Sequence, residues 1–298
     1  MRYLVYKSTD LLDAILSGHE ASCRYVRLTE HHLRSRRFNF LLRQARSSHR
    51  FFPTLLTMLP GFSPLRSVGR DDVVIVFDMA DLTFTDYLSR CLPASCRRHA
   101  FFWNPLSKLF ADTQAATAAL AAQGYELSTF DHSDARDYHL AFKHQFVRNL
   151  NPSPCPTLYD YYFLGAPKGR EALLSHITSR LNSLGLQGRC IMPRTKAQQI
   201  SYRDNIVNVV SSRCLIEIVQ EGQADITLRA LEALVYGRKL ITTCTGVVNY
   251  DFYHPQNILL WADQDDDHLR RFLSSPVVPV APHIVKAYST KAWLSSFS

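Results

Sequence analysis

The sequence predicts an α/β protein made of two Rossmann-like domains with parallel sheets, facing a cleft. Three observations predict it. Short apolar runs rich in Val, Ile, Leu and Phe recur along the chain, amphipathic stretches of helical spacing separate them, and a proline-rich stretch, NPSPCP at 151–156, interrupts the alternation. The expected domains are 1–150 and 157–298, with 151–156 as the linker. Domains of this kind hold ligands at the C-terminal ends of their strands.

The elements follow in order. RYLVY reads as a first strand, and DVVIVFDM (72–79) as a buried strand ending on Asp78. DLTFTDYLSRCL is helical, RHAFFWNP is a strand, and 106–123 reads as a helix stopped by Gly124. YELSTFD is a strand ending on Asp131, and SDARDYHLAFKHQF a helix capped by Ser133. After the prolines come a strand YDYYFLG, a helix GREALLSHITSRLNSLG ended by Gly185, and a strand RCIMP. CLIEIV, a helix over 227–236, KLITTC and NILLW continue the alternation. DQDDDHLRRFLSS opens with aspartates that complement a helix dipole, and IVKAYSTKAWLSSF reads as a closing helix.

Composition narrows the class. A chain of 298 residues with 46% hydrophobic and 20% charged residues has the make-up of a soluble globular protein. No apolar run approaches the roughly 20 residues that span a bilayer. The start, MRYLVYKSTD, is too short and too soon polar for a signal peptide, so a cytoplasmic protein is expected. Seven scattered cysteines form no CxxC, and His31 and His32 are adjacent rather than on one helix face, so neither a metal nor a bound cofactor is expected. The net charge of +8 is uneven: between Arg24 and Arg70 lie ten arginines against one acid, Glu30. Interleaved with Phe38, Phe40, Leu41 and Leu42, this segment suits an anionic membrane surface, a phosphorylated acceptor or a solvated basic face. Nucleic acid is set aside, because no nucleic-acid-binding signature accompanies the charge.

Two strand-to-helix loops carry candidate chemistry. In VQEGQADITLRALEAL, Asp225 or Thr227 can cap a helix whose Leu228, Leu231 and Leu234 or Val235 face the sheet. Arg229 and Glu232 share another face. They suit a diphosphate and a sugar hydroxyl, or else form a surface ion pair worth about a few tenths of a kcal/mol. GAPKGRE places Lys168 and Arg170 at a second helix start. GxGxxG, the P-loop and GxSxG are absent, yet two basic loops on one side of a domain read as a cradle for a nucleotide diphosphate.

YFLGAPKGRE, ISYRDNIVNVVSSRCLIEIVQEGQADITLRALEAL, KLITT and YDFYHPQNIL, with FFWNP and TFDHSDARDYHL before them, resemble a family of bacterial proteins from lipopolysaccharide, capsule and exopolysaccharide gene clusters. The resemblance runs from Asp72 to Trp261 with spacing kept; the first seventy residues match poorly. It implies a GT-B-like, metal-independent glycosyltransferase with a nucleotide-sugar as co-substrate and a lipid-linked or lipid A-core glycan as acceptor. The donor side would comprise Lys168, Arg170, Tyr202, Gln220, Gly222, Gln223, Thr227, Arg229, Glu232, Asp251 and Tyr253. An inverting transfer needs a base, and Asp78, Asp131 and His132, at strand ends of the first half, are the candidates. The chain departs from the family at Asp225, usually a small residue, and at Cys244, often asparagine. A degenerate member that binds or scaffolds without transfer would keep the same fold. The implied location is the inner face of the bacterial inner membrane, reached through the basic segment.

Overall fold

In the computed structural model, residues 1–29, 35–36, 38–40, 61–220, 225–262 and 265–297 are described. Two sheets carry the chain, and every strand pair in them is parallel. The fold is therefore α/β, with two parallel-sheet units.

The first unit comprises Met1–His144 together with Trp293–Ser298. Its strands are β1 (Arg2–Lys7), β2 (Cys23–Leu28), β3 (Val73–Phe77), β4 (Arg97–Phe102), β5 (Tyr125–Thr129) and β6 (Ala141–Phe142), in the order β2-β1-β3-β4-β5-β6. All five residues of β3 are buried, as a central parallel strand covered on both faces requires. Helix Leu82–Cys91, capped by Asp81, and helix Thr113–Ala122, capped by Asp112, lie beside the sheet, with Phe84, Leu88 and Leu120 in its core. The tail closes another part of this unit. The Trp293 ring sits 5.7 Å from Phe77 and 5.1 Å from Phe101, and Phe297 is fully buried beside it.

The second unit comprises Gln145–Ala292. Its strands are β7 (Tyr159–Leu164), β8 (Gly188–Ile191), β9 (Ser212–Glu217), β10 (Lys239–Thr242) and β11 (Ile258–Leu260), in the order β11-β10-β9-β7-β8. Leu174, Ile177 and Leu181 of helix Glu171–Ser183 pack with Leu269 and Phe272 of helix Asp266–Ser274 and with Ile216 and Ile241 of the sheet. Gly188 is dictated by contact: a Cβ there would come within 2.1 Å of the Tyr161 ring.

Both sheets wind the same way. The second strand lies outside the first and the third on its other side, so the winding reverses between β1 and β3 and again between β7 and β9. At such a reversal, the loops leaving the two strands diverge and open a crevice at their C-terminal ends.

Several expectations change. The helix expected over 106–123 is two, Leu106–Leu109 and Thr113–Ala122, because the Asp112 side chain accepts the Ala115 N–H and starts a new helix. The helix expected after Asp131 ends at Asp137, and its cap is Asp131 rather than Ser133; His139 then takes a φ of 55°, which no helix continues. The closing helix is also two, Pro282–Ala287 and Thr290–Ser295. Residues 151–156 lie inside the second unit, where Cys155 Sγ is 3.2 Å from Ser211 Oγ, and the last six residues belong to the first. Most of the basic segment (30–34, 37 and 41–60) lies outside the described residues. Among the described residues no helix is long and apolar enough to cross a membrane, and no cluster of His, Cys, Asp or Glu has metal-binding geometry.

Candidate functional site

The reversal between β7 and β9 gathers most of the predicted donor-side residues. After β7 the chain turns through Lys168 (φ 45°) and Gly169 (φ 79°), closed by the Arg170 N–H donating to Pro167 O at 2.9 Å. Two successive left-handed residues are the signature of a type I′ turn, and the turn leaves Lys168 exposed. The Arg170 guanidinium donates to Ala166 O at 2.6 Å and to Ile218 O at 3.1 Å, so it laces this turn to the exit of β9. Gly165 makes room for it, since a Cβ there would lie 3.0 Å from Arg170 Nη2. Among the described residues no carboxylate comes within ion-pair distance of Arg170; burial, followed by the nearby Arg229, lowers its pKa, and Glu171 opposes the fall. The helix it introduces, Glu171–Ser183, has no side-chain cap. Its first-turn N–H groups therefore stand beside a guanidinium held by backbone carbonyls, with Glu171 in the same turn.

After β9 the arrangement is the reverse, because polar groups are already satisfied from within. Glu217, the last residue of β9 and 2% exposed, accepts both the Thr227 N–H (2.7 Å) and the Thr227 hydroxyl (2.6 Å) on Oε1, and the Thr242 hydroxyl on Oε2. Thr227 caps helix Leu228–Val235 by accepting the Arg229 N–H at 3.1 Å. Burial raises the Glu217 pKa, and the donors from Thr227 and Thr242 pull it back. The Val219 N–H donates to Thr243 Oγ1 at 3.0 Å, while Gln220 is half-buried. Gly222 and Gln223 fall outside the described residues.

Arg229 and Glu232 do pair, at 2.9 Å, but not on the surface: their side chains are 12% and 2% exposed. Arg229 also donates to Leu164 O at 2.6 Å and lies over the Tyr162 ring at 5.8 Å. Glu232 accepts the Asn205 amide at 2.9 Å, and the buried Tyr202 lies close enough to affect its titration. Burial raises the Glu232 pKa, and Arg229 opposes the rise. The expected surface pair is thus a core network that fastens helix Leu228–Val235 to the end of β7 and to helix Tyr202–Val210.

The two positions at which the chain differs from the family it resembles, Asp225 and Cys244, find their places here. Asp225 is 3% exposed and accepts the Tyr250 hydroxyl at 2.7 Å; Thr227, not Asp225, is the cap. Cys244 is 1% exposed, donates its N–H to Thr242 Oγ1 at 2.9 Å, and has its thiol pushed up to about 12 by burial. Asp251 accepts the Tyr288 hydroxyl at 2.6 Å, and the Tyr253 N–H donates to Tyr250 O at 3.0 Å. No hydrogen bond among the described residues brings Asp251 or Tyr253 to Arg229.

In the first unit the candidate bases sit at the exits of β3 and β5. Asp78 holds a φ of 54°. Its Oδ1 accepts the N–H groups of Trp103 (3.0 Å) and Asn104 (3.1 Å), and its Oδ2 accepts the Asn104 amide, so it clamps the WNP turn after β4. Burial raises its pKa, against these three donors. Asp131, 2% exposed, accepts the Ser133 and Asp134 N–H groups at 2.9 and 3.0 Å. His132 is exposed and stacks on Phe142 at 3.9 Å.

The sequence reading missed Glu217, although it shows a signal for it: CLIEIV places one acid inside an apolar strand run, where an unsatisfied charge is costly. Asn205 offers no such signal: it is one of several polar residues in helix Tyr202–Val210, and its bond to Glu232 joins residues 27 apart in the chain. No protein-family model matches the chain, and no curated protein matches it either.

Proposed function

We propose that the chain is a glycosyltransferase of the GT-B type that moves a sugar from a nucleotide-activated donor to a cell-surface glycan acceptor, without a metal. One observation carries the reading. At the β7/β9 reversal, the half-buried Arg170 guanidinium is held by backbone carbonyls rather than by an ion-pair partner, beside an uncapped helix start, with Lys168 exposed on the same turn. These groups suit the phosphate of a nucleotide-sugar, and stabilising charge on a departing phosphate is the main work of such a site. Helix Leu228–Val235 and the Arg229–Glu232 pair build the wall against which that loop is held. On the acceptor side His132 is the base we favour, because Asp78 and Asp131 each hold backbone N–H groups. The acceptor class, the GT-B cleft and the inner-membrane location rest on the family resemblance.

A second reading, binding without transfer, is favoured by one feature: Arg229 and Glu232, the pair expected to meet the donor, are turned inward. Thermal shift with UDP-, GDP-, CMP- and dTDP-sugars tests both. Stabilisation by one donor that disappears in Arg170→Met, together with sugar transfer, supports the first. Donor binding without transfer to any glycan acceptor, or no response of the folded protein to any nucleotide, sinks the first and supports the second.

A further inference from the structure

We infer that the cleft beside the NPSPCP stretch of the second unit binds the oxyanion, carboxylate or phosphate, of a small acidic ligand, with Arg238 as the group that receives it. This site is separate from the β7/β9 crevice and does not rest on the nucleotide-sugar reading. Cys155, Ser211 and Arg238, which line it or border it, lie just before β7, β9 and β10, and these strands run parallel. The cleft is therefore at the N-terminal pole of the sheet, roughly 17 Å along β9 from the strand exits.

The cleft measures about 510 Å³, within the range of small-molecule sites, and no acidic side chain is among the described residues that line it. Its polar groups are donors left over once the protein's own bonds are counted. Arg238 is half-buried, and among the described residues its guanidinium has neither an ion-pair partner nor a hydrogen-bond acceptor, with Nε fully enclosed. Burial lowers its pKa, and the Cys155 thiol opposes the fall. The Tyr236 hydroxyl accepts the Leu150 N–H at 2.9 Å, so its own proton is unspent. The Asn149 amide oxygen accepts the Asn151 N–H at 2.8 Å, in a turn that takes Asn151 to a φ of 46°, and the Asn149 NH2 group is left over. The contrast with the other arginines of this unit is direct. Arg170 is tied to carbonyls and Arg229 to Glu232, whereas Arg238 is half-removed from water with no acceptor among the described residues. That position is costly unless an acceptor arrives, and donors gathered without an acceptor are completed by an anion. A guanidinium fork matches a carboxylate or a phosphate in shape as well as charge.

Inorganic phosphate and glucuronate are the probes, with glucose and sodium chloride at matched ionic strength as controls. Each is titrated into isotope-labelled protein while the amide signals of Ser153, Cys155 and Gly237 and the Nε–H signal of Arg238 are followed. One or both anions should shift these signals saturably, with a Kd of about 1 mM or tighter, and glucose and chloride should leave them in place. Saturation by phosphate alone identifies a phosphate ligand, and saturation by glucuronate alone a carboxylate. Arg238→Gln should weaken the binding by about tenfold or more. No saturable shift with either anion, shifts reproduced by chloride, shifts confined to the Lys168–Glu171 turn, or saturation that survives Arg238→Gln overturns the inference. If Arg238→Gln does not fold, the wild-type titrations decide alone.

Discussion

Replacing Arg229 with methionine keeps most of the apolar stem of the side chain and removes the charged guanidinium and its hydrogen bonds. Glu232 is left 2% exposed without its ion-pair partner. Breaking a buried pair from one side costs about 3–5 kcal/mol, against about a few tenths for a surface i,i+3 pair. The protein has one escape, which is to protonate Glu232. From its ordinary value of 4.5, this escape costs about 1.36 kcal/mol for each pH unit above that value. The loss should therefore be about 3.4 kcal/mol at pH 7 and about 0.7 kcal/mol at pH 5. The sign follows from linkage. In the variant, Glu232 has a raised folded pKa, so the folded state binds the extra proton, and stability is full below the unfolded value and lost as pH rises through the window above it. Native-state hydrogen exchange read at β9 and β10 measures the second unit by itself. The double variant Arg229→Met/Glu232→Gln should recover most of the loss at pH 7 and flatten its pH dependence. A cost under about 1 kcal/mol at pH 7, or one that does not change between pH 5 and 7, would refute the buried-network reasoning.

Two further outcomes are expected. Asp225→Gly leaves the buried Tyr250 hydroxyl without its acceptor and should cost about 1–3 kcal/mol, measured by chemical denaturation; adding Tyr250→Phe should return part of it, and a double variant no better than the single one counts against the pairing. His99 is buried against Phe297, with Nδ1 3.5 Å from Glu126, and burial depresses its pKa below 6.5, opposed by Glu126 and helped by Lys143 and Arg97. Its neutral folded form gives stability that is full above about pH 6.5 and lost, by up to about 1.4 kcal/mol per pH unit, as pH falls toward its folded value. Denaturation midpoints of wild type and His99→Gln between pH 7.5 and 5.5 should diverge accordingly; parallel profiles would remove His99 from the account.

The fold was legible wherever burial on both faces left an uninterrupted apolar run, as in VVIVF of β3 and KLIT of β10. β2 escaped because it is an edge strand whose Arg24 and Arg27 are exposed, so CRYVRL lacks both a run and a clean alternation. The loop chemistry was half legible. Spacing placed Lys168 and Arg170 after β7 and Arg229 and Glu232 on the helix after β9, as the structure does, but it could not reveal which arginine faced inward. That depends on partners such as Asn205 and Leu164, 24 and 65 residues away along the chain. Asp225 shows the same limit, since only the hydroxyl of Tyr250 reveals what the carboxylate is for.

The return of Trp293 and Phe297 to the first sheet has a consequence for synthesis. Until residue 297 has been made, Phe77 and Phe101 lack the rings that cover them, and the Arg2 guanidinium lacks the Phe297 carbonyl it bonds at 3.1 Å. The first unit therefore closes only after the chain of the second has been made. A fragment cut at residue 144 should be aggregation-prone, because it leaves this aromatic face uncovered.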